Sequence, residues 1–189
     1  MIDCKQHLQR GDGVLVVDVQ WDFCPGGRRP VPEGNQVVPV LNAWIVAALN
    51  ADIPVYASRD WHPRNHISFK ERGGPWPSHC IQDTDGAQFH PELHRDDRIV
   101  VITKGTRFDR DQNSAFDETG LSTQLAYDEV RSLYIGGLAL DGCVLSSVLD
   151  AIGAGLKVSL IRSGTRPLDE EEGRRALERM LKVGATMID

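Results

Sequence analysis

A basic surface is missing from this sequence. It carries 21 lysines and arginines against 27 aspartates and glutamates, for a formal charge of −6. That balance excludes nucleic-acid binding through a positive footprint. The short pairs Arg28-Arg29 and Arg174-Arg175 read as solvated surface. Long apolar runs are missing too: none approaches the roughly 20 residues that span a bilayer, so no membrane partner is expected. The opening stretch MIDCKQHLQRGDG has no apolar h-region, so no secretory signal is read and a cytoplasmic location is expected. Cysteine is scarce, with Cys4, Cys24, Cys80 and Cys143 in no C-x-x-C pair. A chain of 189 residues can bury a core without disulfide staples, so each cysteine is a small buried hydrophobe or a reactive thiol. Repeats, low-complexity stretches and linkers are absent, and one domain over residues 1–189 is expected.

What is present alternates strand and helix. GVLVVDVQ (13–20) reads as a buried strand ending near Asp18, followed by a Pro/Gly loop. Val37, Leu41, Trp44 and Ala48 mark one face of a helix, with Asn35 as its N-cap. Further strands are read at 53–58, 98–105, 131–138 and 157–164, with an edge strand at 185–188. Helices are read near 122–128, at 143–156 and at 169–183. The last has Leu177, Met180 and Leu181 on its apolar side and Gly184 as its C-cap. The expected fold is a single Rossmann-like α/β domain. Its mainly parallel sheet has about six strands and helices on both faces. The stretch from Arg59 to Arg98 holds five of the six histidines and no sustained periodicity, which points to a functional loop.

Ligands in such sheets bind outside the carboxyl ends of the strands. Those ends deliver Asp18, Asp60 with His62, Lys104, and Cys143 after a Gly-Gly turn. Cys143 at a helix start is a candidate nucleophile, since the dipole there favours a thiolate. Lys104 would lower its pKa, and Asp18 would shuttle its proton, with Asp22 as a rival base. In RDWHPRNHISF (59–69), Asp60 and His62 fit a divalent metal, and His79 of PWPSHC supplies a third ligand. His66 competes as a ligand, and Cys80 does so more weakly. Three protein ligands would leave open positions, as in a catalytic site.

VVDVQWDFCPGG, SRDWHPRNHISF, PWPSHC, TKGT and GGLALDGCV, in this order, resemble the nicotinamidases of the isochorismatase-like cysteine hydrolase superfamily. The resemblance runs from about residue 13 to 165, and the metal loop is its most specific part. It implies a catalytic triad of Asp18, Lys104 and Cys143, and a metal held by Asp60, His62 and His79, with His66 outside the ligand set. It further implies Phe23 and Trp76 flanking the substrate ring. Ala139 and Cys143 N–H groups would form an oxyanion hole, where the family often has a cis peptide. The implied reaction is hydrolysis of nicotinamide to nicotinic acid and ammonia in NAD salvage, through a cysteine thioester. One divalent ion (Zn, Fe or Mn) would orient the pyridine ring. Trp21, Leu140 and Gly142 depart from common family residues beside the pocket and bear on substrate preference. The alternatives are a related hydrolase acting on another small amide or carbamoyl compound, a non-enzymatic metal module, and a thiol-redox protein. Homo-oligomerisation stays open.

Overall fold

The computed structural model describes residues 6–189, so Cys4 lies outside the described residues. Strands β1 (Asp12–Val17), β2 (Val55–Asp60), β3 (Val100–Lys104), β4 (Ser132–Leu138), β5 (Lys157–Arg166) and β6 (Thr186–Ile188) form one sheet. All pairings are parallel, in the order β3-β2-β1-β4-β5-β6. Helices α1 (Val37–Asn50), α2 (Leu121–Tyr127), α3 (Leu145–Gly153) and α4 (Glu170–Lys182) connect them. The chain winds outward from β1 to β3, then reverses to fill the other side from β4 to β6. The reversal puts a topological switch point between β1 and β4, where open α/β sheets take their ligands.

Side-chain alternation along β1 divides the core. Val14 and Val16 join Leu41, Trp44 and Ala48 of α1 on one face of the sheet. Leu15 and Val17 join Leu121 and Leu125 of α2, Val148 of α3 and Met180 of α4 on the other. Right-handed crossovers require this split, because α1 follows a step in one direction and the later helices follow steps in the other. With helices on both faces, β1 is apolar at every position from Val14 to Val17, each fully buried. Each such side chain contributes roughly 1.5–3 kcal/mol of burial.

The expected fold class is the observed one, with adjusted details. β1 stops at Val17 because Asp18 turns into a left-handed conformation, φ 49°. Asn35 is no N-cap: it lies in a 3-10 turn, Gly34–Gln36, that runs directly into α1. The segment expected to be helical from 143 begins as a wide turn, Leu140–Val144, before α3. Leu181 is 48 % exposed, and the buried face of α4 is instead Gly173, Ala176 and Met180. Asp169 caps α4 by accepting from the N–H groups of Glu171 and Glu172. Gly184 closes it at φ 105°, with Ala185 N–H bonded to Met180 O, a Schellman stop. The long loop after β2 is pinned by isolated bridges His62–Ile81, Phe69–Trp76 and Gln20–Phe89. No helix among the described residues is long and apolar enough to cross a membrane.

Candidate active site and metal pocket

Parallel register brings the candidate residues to one rim. Val17 pairs with Ser58 and Gly137, and Asp60 pairs with Lys104. Asp18 therefore emerges between β2 and β4, and its positive φ is backbone strain held at the rim. Gly137 permits the approach: at φ 133°, a Cβ there would lie 2.0 Å from Val17 O.

Lys104 is the hub. Its Nζ lies 2.8 Å from Asp18 Oδ2, 2.5 Å from Asp60 Oδ1 and 3.4 Å from Cys143 Sγ, with the amine fully buried. Burial alone would push this amine down, but the Asp18 and Asp60 carboxylates outweigh it and hold it above the ordinary lysine value. Burial raises the Asp18 carboxyl, and the neighbouring Asp60 charge adds to that, against Lys104 and a 2.7 Å hydrogen bond from Ser58 Oγ. Asp18 Oδ2 makes no regular hydrogen bond within the described residues. Its partner is the Lys104 ammonium at 2.8 Å, which leaves a second lone pair beside the cysteine.

The structure corrects one electrostatic expectation. Lys104 does pull the Cys143 thiol toward the thiolate, but burial is larger, and Asp18 and Asp60 add to it. The net shift is upward, so the resting group is a thiol. Cys143 sits in the Leu140–Val144 turn, between the Gly142 and Val144 N–H groups that both donate to Ala139 O. The Leu138–Ala139 peptide is cis. Asp141 ties this turn to the start of α4 by accepting from Leu168 N at 2.9 Å and Asp169 N at 3.0 Å.

The second group is Asp60, His62 and His79, all buried, with one donor atom from each within 4.8 Å of the others. The His62 Nδ1–H donates to Gly105 O at 3.0 Å and the His79 Nδ1–H to Pro77 O at 2.8 Å. Both Nε2 lone pairs are thereby left for a metal, the arrangement that fixes ligating imidazoles. Burial pushes His79 down to about 4, with Asp60 opposing, so it is neutral as a ligand must be. Burial opposes charge on Asp60, but the Lys104 ammonium holds its carboxyl well below the usual range. Oxygen with two imidazole nitrogens fits a divalent Zn, Fe or Mn ion. Asp18, Asp60 and Cys143 also cluster, but the Lys104 ammonium already fills the space among them.

The rival residues are excluded by their bonds. His66 accepts from Ser68 Oγ at 2.7 Å through Nδ1 and donates from Nε2 to Arg110 O at 3.0 Å. Neither nitrogen is left for a metal; the ring instead lies tilted against that of His62, with centroids 4.1 Å apart. Cys80 joins no metal-like group among the described residues. Asp22 is a loop staple, accepting from Cys80 N at 2.8 Å and Arg28 N at 3.1 Å.

Phe23 lines a crevice over Cys143 together with Arg29, Asn113, Ala139, Gly142 and Leu168. Trp76 does not reach that crevice, because the Arg29 guanidinium lies across its face at 3.7 Å. Arg29 is therefore not the solvated surface residue expected from its Arg-Arg pair. Sequence reasoning also missed Gln20, whose side chain brackets Asp60 by accepting from its N–H and donating to its carbonyl, both at 2.7 Å. Gln112 was missed as well; its Oε1 accepts from Gly105 N at 3.0 Å. Gln20 lies three residues past the end of β1, which could have drawn attention to it; Gln112, in the loop between β3 and α2, carries no such signal.

The isochorismatase domain profile matches residues 12–189. The chain belongs to the isochorismatase family. Within the family it is 37 % identical to the nicotinamidase of Escherichia coli, over 92 % of each chain. Among solved structures, it superposes on the pyrazinamidase of Pyrococcus horikoshii in complex with zinc with a TM-score of 0.92. The two are 41 % identical, over 95 % of this isochorismatase-family chain and 99 % of that one. Pnc1 from L. infantum in complex with nicotinate gives a TM-score of 0.86 at 33 % identity, covering 95 % of this chain and 93 % of that one.

Proposed function

We propose that this chain is a nicotinamidase, hydrolysing nicotinamide to nicotinic acid and ammonia through a thioester on Cys143. The coarser statement, a hydrolase acting on an amide, follows from family membership and full-length similarity to nicotinamidases. The observation that carries the finer reading is the Lys104 hub, which joins Asp18, Cys143 and the metal-binding carboxylate of Asp60 in one buried cluster.

The proton path follows from the resting thiol. Asp18 Oδ2 takes the Cys143 proton as sulfur attacks the carboxamide carbon, so a free buried thiolate is never needed. The Ala139 and Cys143 N–H groups receive the developing oxyanion. Collapse of the tetrahedral intermediate breaks the C–N bond, and Asp18 returns the proton to the leaving ammonia. Water, deprotonated by Asp18, then cleaves the thioester and restores the thiol. Lys104 opposes the upward push of burial and Asp60 on the Asp18 carboxyl, and so favours release of each proton it takes. Asp60, His62 and His79 would hold the divalent ion, which supplies a contact for the pyridine nitrogen and so orients the ring. Phe23 packs against the ring from one side.

The substrate reading is tested by ammonia release from nicotinamide and benzamide, before and after chelation. Benzamide lacks the ring nitrogen and is expected to be the poorer substrate by ~10-fold or more in kcat/KM. Equal values would overturn the orienting role, and no ammonia from nicotinamide would overturn the substrate. The ligand set is tested at Gly105. Its φ is 64°, and a Cβ there would lie 2.5 Å from the His62 ring. Gly105→Ala is expected to displace His62 and weaken metal binding ~10- to 100-fold, read by elemental analysis after dialysis against a competing chelator. Unchanged retention would remove His62 from the ligand set.

A further inference from the structure

The crevice over Cys143 measures about 20 Å³, room for roughly one water and far too little for a pyridine ring. A wall must therefore move for any aromatic amide to reach the sulfur. Of the side chains around the crevice, Arg29 is the longest and has the most rotamer freedom. It also lies in the place an aromatic substrate would want. Its guanidinium carbon lies over the Trp76 ring, 3.7 Å from the centroid, and 5.8 Å from the centroid of Phe23. A planar delocalised cation can stack there much as a planar ring can.

Little else holds that side chain. Its Nε is buried with no hydrogen-bond partner among the described residues, so swinging outward would return a donor to water. The backbone, by contrast, is anchored: Arg29 N–H donates to Asp22 O at 2.9 Å and Val31 N–H to Phe23 O at 3.0 Å. A fixed backbone with a loosely held side chain allows the guanidinium to move without disturbing Phe23 or the loop.

We propose that Arg29 is a specificity-determining gate, whose guanidinium a flat aromatic ring must displace from Trp76 to reach Cys143. This rests on the reading of an aromatic amide substrate, and it adds the residue that selects for planarity. Closure lowers apparent affinity by the fraction of molecules that are open, so removing the gate should act mainly on KM.

The test compares wild type with Arg29→Ala and Arg29→Lys, the latter keeping charge and length but losing the planar stack. Cys143 alkylation by N-phenylmaleimide, a flat aromatic reagent, is measured against the small reagent iodoacetamide, with Cys143 resolved by peptide mass spectrometry. The ratio of the two rates cancels the thiol's intrinsic reactivity. It is expected to rise ~5-fold or more in Arg29→Ala and partly in Arg29→Lys, while KM for nicotinamide falls ~3- to 10-fold with the smaller part of the change in kcat. A flat ratio in both variants overturns the gate, as does a raised KM with a flat ratio, which would make Arg29 a holder of the ring. Should Arg29→Ala fail to fold, Arg29→Lys decides by the same ratio. A raised ratio in an enzyme that releases no ammonia from nicotinamide leaves the gate standing and overturns the substrate; a flat ratio in an active enzyme does the reverse.

Discussion

Cys143→Ala is expected to lower kcat/KM for amide hydrolysis by ~10⁴-fold or more, because it removes the one nucleophilic side chain among the described residues around the crevice, on which the proposed thioester would form. The fold should persist. The change deletes one sulfur at a rim position, and the surrounding turn is held by backbone bonds to Ala139 and by Asp141, none of which involves the thiol. The thermal midpoint is therefore expected to move by only a few degrees. Two measurements check this: steady-state ammonia release, and trapping of the acyl group with hydroxylamine during turnover. The wild type should yield the hydroxamate and Cys143→Ala should not. Turnover at the wild-type rate in the variant would overturn the thioester route and transfer attention to a metal-activated water at Asp60, His62 and His79.

Lys104→Met should produce the largest loss of stability. Lys104 is the buried cation shared by Asp18 and Asp60. Removing it strands two carboxylates in a dry site, a change that costs about 3–5 kcal/mol when one partner of a buried pair is deleted. A bound metal would offset part of the Asp60 charge, so the comparison belongs in metal-free protein. The pH dependence follows from the shifts. Asp60 is depressed in the folded state, so its stabilising contribution is present above its unfolded value near 4 and is lost as pH falls through the lower folded value. Lys104 is raised, so its contribution is present below its unfolded value and lost only as pH rises through the folded one. The deficit of Lys104→Met therefore spans neutral pH and closes in acid, where the stranded carboxylates take up protons. Denaturant unfolding at pH 7 and near pH 4 measures it. A deficit under about 1 kcal/mol at pH 7, or one that does not shrink in acid, would mean that Asp18 and Asp60 are already protonated beside the lysine.

Much of the architecture was legible because a buried parallel strand is apolar on both faces. GVLVVDVQ carries that pattern, and its break at Asp18 marks the rim. Once strands and crossovers are assigned, the residues that follow them share one edge of the sheet, so Asp18, Asp60, Lys104 and Cys143 could be grouped before any distance was known. Local backbone chemistry was also readable where a single residue type does the work, as at Gly184 closing α4. It failed at Asn35, where a 3-10 turn supplies the helix start without a side-chain cap.

The sequence by itself determined the strand order of chemistry and the inventory of groups at the rim. Periodicity and residue type are properties of the chain. Tertiary structure alone decided which groups are usable. His66 has the same side chain as His62, yet both of its nitrogens are bonded while His62 keeps one lone pair. Cys143 carries a proton because burial outweighs the pull of Lys104, and burial is made by every layer packed above it. Arg29 left the surface because Phe23 and Trp76, far apart in the chain, meet around it. Hydrogen-bond occupancy, desolvation and stacking depend on distances through space, and these exist only once the sheet has closed and the loops have been pinned across it.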